Sequence, residues 1–586
     1  MEGIRNGKTD FERSAFILLI KNLLAKEHRK LVDEDRKRTR SLLLYFISDR
    51  LKSIHGFDYF FTLLIIVYRK EGRKDMRKQW FQSLLMRRAV IILILLVEIA
   101  SFTFLIVAGS LISEVAAVIF RVISFIVALY VISKNDKGGY RLIWVFLILV
   151  FPIFGGVLYV FLNSQMISNR YAKNLSEVIK STQDQFELKP ELKEELREKY
   201  PVYVKGVDYL ENTQKFPVYK NTKTTYLSPG EAFWPVFLDK LRSAEKYIFL
   251  EYFTIGEGKF WDSILEILKE KAKSGVLVRI MYDDMGCFLT LPSDYPEYLK
   301  SLGIECKIFN PFRPFFTTIQ NNRDHRKLTS IDGKIAFCGG LNLSDEYVNE
   351  KERFGYWKDS AVMVEGEAAW SITCFLLQIW QINQVTYEDF RQYYPWTEEP
   401  CPIRNDGFVQ PYTDVPLDHE RVSESVYMHM INSAEKYLYI STPYLILDED
   451  MVSALCLSAK SGVDVRIVTP SKYDKWMIHQ ATRCYYRDLV KAGVRIYEYT
   501  PGFMHSKTVV IDDKAAIVGS VNWDYRSLYL HFESAVWMCG TDTVIDVKND
   551  LLKSFEASDE VLREELNFRR GWSLFRLILR LIAPIF

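Results

Sequence analysis

Nowhere in this 586-residue chain are two cysteines spaced Cys-x-x-Cys. The eight cysteines, Cys287, Cys306, Cys338, Cys374, Cys401, Cys456, Cys484 and Cys539, are scattered, and none joins histidine at zinc-ligand spacing. That pattern excludes a cysteine-rich zinc module and predicts free, mostly buried thiols. No cleavable secretory signal is evident either, because the long apolar runs start far from Met1. Excess charge of one sign is missing as well: the formal net charge is only +2. The balance hides an asymmetry. Residues 1–88 hold 21 Lys/Arg against 11 Asp/Glu, a surplus of +10, so the remainder carries about −8. A basic segment leading into apolar runs points to a membrane surface and away from nucleic acid.

Three apolar runs follow Arg87-Arg88: Ala89 to Gly109 with Glu98 inside it, Val115 to Ile132 with Arg121, and the uncharged Leu142 to Leu162. Roughly twenty apolar residues span a bilayer, so two or three transmembrane helices are expected over 87–165. Glu98 and Arg121 could pair across a hairpin of the first two. The positive-inside rule places Arg87-Arg88, Lys134, Lys137 and Arg141 in the cytoplasm. Three spans then put the rest of the chain outside; two spans and a re-entrant hairpin keep it inside. Residues 1–86 read as a basic helical extension. Its short apolar runs could lie on the membrane or form a small bundle.

Against this background one pattern occurs twice. His325, Lys327, Asp332 and Asn342 recur as His505, Lys507, Asp512 and Asn522, with Lys two, Asp seven and Asn seventeen residues after His in both. On a strand, residues two apart share a face, so each His and its Lys should point the same way. Two such faces brought together surround one cavity with two imidazoles, two ammonium groups and two amides. That set suits a phosphodiester. One imidazole can attack phosphorus, the other can protonate the leaving oxygen, and the cations and amides can hold the phosphoryl oxygens. No metal or other cofactor is called for. Asp332 precedes Gly333, and Asp512 precedes Asp513-Lys514, so both also read as turn residues supporting the site.

The duplication extends beyond the motif. Ser243-Ala244-Glu245-Lys246-Tyr247 recurs as Ser433-Ala434-Glu435-Lys436-Tyr437, and Lys273-Ser274-Gly275-Val276 as Lys460-Ser461-Gly462-Val463. Each half alternates strands and helices, with glycine at helix ends, which predicts two copies of a layered α/β domain packed face to face.

The double motif resembles that of the phospholipase D superfamily. Glu251-Tyr252-Phe253, Asn310-Pro311-Phe312, Thr442-Pro443-Tyr444 and Asn522-Trp523-Asp524-Tyr525-Arg526-Ser527 are similar to bacterial cardiolipin synthases. So are the run from Lys137-Gly138-Gly139-Tyr140-Arg141 to Gly155-Gly156 and the amphipathic tail from Trp572 to Phe586. The likeness covers roughly residues 88–586 and leaves the N-terminal extension outside it.

The resemblance implies two duplicated phospholipase D-like α/β domains, packed as a pseudo-dimer behind the transmembrane helices. Their expected limits are 226–400 and 401–568, with a linker at 166–225 and a tail at 569–586. It implies a multi-pass cell-membrane enzyme that joins two phosphatidylglycerol molecules into cardiolipin and glycerol through a phosphohistidine. Hydrolysis, transfer to another alcohol, or a silent membrane scaffold are the alternatives. His325 is the implied nucleophile and His505 the acid. Asp359 would orient His325, and Glu533 would keep His505 protonated. Oligomeric state is left open.

Overall fold

The computed structural model describes residues 111–585 apart from 135–136, 152–154, 157–158, 160–165, 312–320, 383, 385, 405–406, 419 and 567–569. The N-terminal extension, the first apolar run and Glu98 of the proposed Glu98–Arg121 pair lie outside these residues.

The first half supplies β1 (Thr222–Leu227), β2 (Tyr247–Tyr252), β3 (Leu277–Asp283), β4 (Glu305–Phe309), β5 (Lys327–Ile331), β6 (Ile335–Gly339), β7 (Tyr356–Lys358) and β8 (Ala361–Gly366). The second supplies β9 (Phe408–Asp414), β10 (Tyr437–Ser441), β11 (Asp464–Pro470), β12 (Arg495–Tyr499), β13 (Gly502–Met504), β14 (Thr508–Ile511), β15 (Ala515–Gly519), β16 (Glu533–Cys539) and β17 (Ser558–Glu560). Two large sheets result, ordered β1-β8-β6-β5-β2-β3-β4 and β17-β12-β11-β10-β14-β15-β16-β9. β1 begins at Thr222, inside the region expected to be linker.

The sequence repeats explain why the two sheets are alike. β2–β3 and β10–β11 are parallel pairs joined through the amphipathic helices Lys259–Lys273 and Glu449–Lys460. The first of these helices turns Phe260, Trp261, Ile264, Leu265, Ile267 and Leu268 inward, the spacing of one helix face. Gly275 and Gly462 then take φ of 89° and 98°, a left-handed C-terminal stop that a Cβ would strain. β2 is apolar but for Glu251, and all six of its residues are buried because both of its faces are covered.

The sheets meet through helices and a shared ribbon. Helix Ala369–Trp380 is buried along its whole length and packs on β5 and β9, one strand from each sheet. Helix Thr543–Glu556 of the second half reaches β1 of the first, where Thr224 and Thr543 hydroxyls lie 2.8 Å apart. β7 of the first half runs parallel to β13 of the second, with Trp357 opposite Phe503 and Lys358 opposite Met504.

Near the described N-terminus, helix Leu111–Ser133 has 23 residues and exposes an apolar flank that includes Phe125, Ile126 and Leu129. The side chains of its first turn, and of Ala116, Ala117 and Phe120, lie outside the described set. Among the described residues, no helix is long and apolar enough to cross a membrane. The third apolar run does not form one helix. Helix Gly138–Val150 stops after 13 residues. Phe151 is non-helical (φ −123°, ψ 78°), as expected of a residue before Pro152. The chain then folds back. A Cβ on Gly155 would stand 2.4 Å from the Leu147 carbonyl oxygen, and Tyr159 meets Trp144 edge-on at 5.3 Å. Only glycine permits that close return.

Candidate active site

β5 and β14 are central strands, each between a neighbour from the parallel group and a hairpin partner. They begin at Lys327 and Thr508, so the two histidines stand just ahead of the strands and not on them. The reason is that their backbones pair with the opposite half. His325 N–H donates to the Phe532 carbonyl at 3.0 Å, and Phe532 N–H donates to the Arg323 carbonyl at 2.8 Å. Likewise His505 and Ser506 N–H groups donate to the Lys358 carbonyl at 2.7 and 3.0 Å. Each histidine is thus stitched to the residue just before the other half's carboxylate.

The side chains follow. His325 Nδ1 lies 2.9 Å from Glu533 Oε1, and His505 Nδ1 lies 2.6 Å from Asp359 Oδ2. This corrects the expected assignment: Asp359 serves His505, Glu533 serves His325, and the carboxylates cross the seam. Both carboxylates are fully buried. A carboxylate on Nδ1 leaves Nε2 of each ring for chemistry and fixes the tautomer.

The lysines and imidazoles of both motifs are buried. Lys327 and Lys507 each bond back to the carbonyl of their own histidine. Burial pushes the ammonium of Lys327 down to about 7 and that of Lys507 to about 8. Burial, then the Lys507 charge, lowers His505 to about 4 against the pull of Asp359. His325 falls well below the ordinary imidazole value through burial first, then Lys327, His531, Lys507 and His505. Both shifts favour the neutral imidazole. Burial lifts Glu533 to about 8, opposed by Lys327. Phe253 packs edge-on to His325 at 5.2 Å, and Trp357 sits 5.1 Å from His505, which helps exclude water.

Asp332 and Asp512, expected beside the chemistry, turn away from it. Asp332 accepts the backbone N–H groups of Glu245, Lys246 and Tyr247 at 2.7–2.8 Å; Asp512 does the same for Glu435, Lys436 and Tyr437 at 2.7–2.9 Å. Their own φ values are 52° and 54°, a turn conformation that Asp tolerates. The duplicated Ser-Ala-Glu-Lys-Tyr segment is thus the partner of the motif aspartate. Asn342 is engaged too: Oδ1 accepts from Thr254 N–H at 3.0 Å, and Nδ2 donates to the Tyr347 hydroxyl at 2.6 Å. Asn522 is buried, and its Oδ1 has no hydrogen-bond partner among the described residues.

Arg326 does not add positive charge to the site as its position beside His325 suggests. It is buried with Nη2 2.6 Å from Glu251 and Nε 3.0 Å from Asp324. Sequence reasoning also gave no part to Ser520, whose hydroxyl donates to Glu533, nor to Gly340, where a Cβ would stand 2.2 Å from Asp359 Oδ1. Both lie one residue after the glycine that closes each motif hairpin, which was the available signal. His531 was missed as well. Its ring lies 5.4 Å from that of His325.

A duplicated α/β fold with paired His–Lys groups at its seam defines an enzyme of the phospholipase D type. The family model described as "Cardiolipin synthase, PLD-like domain" matches residues 237–367 and again 427–557, and "Phospholipase_D-nuclease N-terminal" matches 122–162. The chain is 44% identical over 461 residues to an uncharacterized protein of Streptococcus mutans, covering 78% of this chain and 99% of that one. It is 33% identical over 448 residues to a cardiolipin synthase of Alkalihalophilus pseudofirmus, covering 76% and 88%. The chain belongs to the cardiolipin synthase family. A solved phosphatidylserine synthase of Haemophilus influenzae shares the fold, with a TM-score of 0.50 at 15% identity over 65% of this chain and 100% of that chain.

Proposed function

We propose that the chain transfers a phosphatidyl group from one phosphatidylglycerol to the glycerol hydroxyl of another, giving cardiolipin and free glycerol. The observation that carries this is the pair of buried imidazoles, each with a carboxylate on Nδ1, beside two lysines at one seam. His325 Nε2 attacks phosphorus, and the bond from phosphorus to the departing glycerol oxygen breaks. His505, protonated in the substrate complex, gives its Nε2 proton to that oxygen. The phosphodiester anion and Asp359 both favour that charged form. His505 then takes the proton of the incoming hydroxyl, which attacks phosphorus and releases His325. Lys327, Lys507 and the Asn522 amide hold the phosphoryl oxygens. Asn342 has its amide committed to Thr254 and Tyr347, so it acts by fixing the loop. The nucleophile is assigned to His325 from the family resemblance, in which the first-motif histidine takes that role, and Glu533 at its Nδ1 leaves Nε2 to attack.

The substrate reaches this site from a bilayer. The apolar run from Val115 to Ile132, read from its sequence, would cross it. The folded-back segment after Gly138 enters it as a re-entrant hairpin. Support comes from the apolar flank of the first helix, from the return at Gly155, and from Lys137 between the two. Lys137 bonds Glu424 and lies 2.6 Å from Asp448, both in the second catalytic half. The connecting turn and the catalytic halves therefore share one side, and the basic residues Lys134, Lys137 and Arg141 make that side cytoplasmic.

The test is purified full chain in detergent with phosphatidylglycerol as sole lipid, products read by mass spectrometry. Cardiolipin and glycerol in equal amounts are expected. Phosphatidic acid alone would make the enzyme a hydrolase and overturn the transfer.

A further inference from the structure

One histidine near the seam has no part in the transfer. The His531 side chain is 10% exposed, and its Nδ1 makes no hydrogen bond among the described residues. Nδ1 stands 3.9 Å from Glu533 Oε1, the same oxygen that lies 2.9 Å from His325 Nδ1. Ligand atoms of His325, His531 and Glu533 all fall within 4.8 Å of one another. Two imidazole nitrogens and a carboxylate oxygen converging this way form the three-ligand set that zinc accepts, at metal–ligand distances near ~2 Å, with a fourth position open. Small closing motions of His531 and a shift of the His325 proton from Nδ1 to Nε2 complete it.

We propose that His325, His531 and Glu533 form an inhibitory site for a zinc-class divalent cation. The inference rests in part on the transfer mechanism above, since it regulates that same site. The cation would take the lone pair of His325 Nδ1. A neutral imidazole then carries its one proton on Nε2, so the nitrogen that attacks phosphorus has no lone pair to offer. It would also remove Glu533 from its orienting role. No bond to phosphorus forms, and release of the cation restores the original tautomer. The charges of Lys327 and Lys507 act on His325 and oppose any dication, so ions that bind imidazole strongly are selected over oxygen-seeking ions such as Mg²⁺ or Ca²⁺. An unpartnered buried imidazole nitrogen costs free energy in a purely structural role, and a ligand for it removes that cost.

The experiment has two arms on detergent-solubilised full chain. In the first, Co²⁺ is titrated and visible absorption recorded, with Zn²⁺ as competitor. One site per chain with the strong bands of low-coordinate cobalt is expected, displaced by Zn²⁺ and not by Mg²⁺. His531→Asn should abolish the bands while it retains metal-free activity and the wild-type melting temperature. In the second arm, Zn²⁺ at about ten times its dissociation constant should cut transfer about tenfold. A chelator should restore it, and His531→Asn should resist. Absence of cobalt bands in the wild-type chain overturns the proposal. So does zinc inhibition that persists in a folded His531→Asn enzyme. The binding arm needs no turnover, so a chain that binds cobalt through His531 yet makes no cardiolipin would leave the metal site standing and refute the transfer reading.

Discussion

The two halves of the catalytic region share one skeleton and differ in what surrounds each histidine. Before and after His325 stand Asp324 and Arg326, locked with Glu251 in a buried ionic cluster. The matching positions around His505 are Met504 and Ser506, and Glu251 is matched by Ser441. There Ser506 donates to Ser441 at 2.9 Å, a neutral hydrogen bond where the first half has ion pairs. The carboxylate that crosses to His505 is an aspartate nestled against Gly340; the one that crosses to His325 is a glutamate held by Ser520. Asn342 is fully bonded, whereas Asn522 keeps a free buried acceptor among the described residues. Duplication thus preserved the geometry of attack and of proton transfer while the two environments diverged. An in-line displacement needs one nucleophile and one acid, and two identical sites cannot divide those roles as cleanly.

The sharpest way to break the comparison is to remove each imidazole. His325→Ala and His505→Ala should each lower transfer by ~10²–10⁴ while the chain still inserts into membranes. Only His505→Ala should still give some labelled protein when acyl-labelled phosphatidylglycerol is quenched. Label on the His325→Ala variant instead would exchange the two roles.

Next come the crossed carboxylates. Asp359→Asn and Glu533→Gln should each cost about 10²-fold, comparable to losing the partner that orients a histidine. Nitrogen NMR of labelled histidine should show Asp359→Asn moving the Nδ1 signal of His505 and sparing His325, with Glu533→Gln doing the converse. The uncrossed pattern would contradict the geometry at the seam.

Stability should separate the halves differently. Arg326→Ala leaves Glu251 and Asp324 buried without their partner and should cost about 3–5 kcal/mol. Ser506→Ala should cost about 1 kcal/mol, the contribution of one neutral hydrogen bond. Denaturant midpoints measure both, and equal losses would show that the ionic cluster is dispensable. Asp332→Asn and Asp512→Asn should likewise lower stability in both halves without selectively lowering the rate of chemistry.

A smaller effect is expected from pH. Burial lowers Lys327 to about 7 and Lys507 to about 8, so their ammonium forms prevail below those values and are lost as pH rises through them. KM for phosphatidylglycerol should therefore rise several-fold above about pH 8, with kcat less affected because the bound anion retains the protons. A KM that stays flat to about pH 10 would remove the lysines from phosphoryl binding. The smallest change should follow deletion of residues 1–86 with Arg87-Arg88 kept. Activity on detergent-dispersed lipid should persist, because the groups at the seam lie far beyond the deleted residues, from Glu251 onward. An inactive but folded truncation would assign the extension a catalytic or structural role.

Much of this protein is written locally. The His, Lys, Asp and Asn of each motif occupy fixed spacings, and spacing along a strand or turn determines direction, so the paired cations and imidazoles were legible. The duplicated segments before β2 and β10 were legible too, since each must follow the same course to meet Asp332 or Asp512. What no spacing could decide was which carboxylate serves which histidine. Asp359 lies 34 residues after His325 and Glu533 lies 28 after His505, so nearness along the chain favoured pairing within each half. The folded chain chose the opposite. β7 pairs with β13, and Arg323–His325 pairs with Phe532, so the backbone just before each carboxylate runs beside the other half's histidine. The charge of Arg326 was hidden in the same way, because Glu251 sits 75 residues earlier and meets it only when β2 and β5 become neighbours. Sequence determined which groups were available. Hydrogen bonds between distant strands determined their partners, because a contact across a domain seam depends on tertiary packing and leaves no periodic trace in the chain.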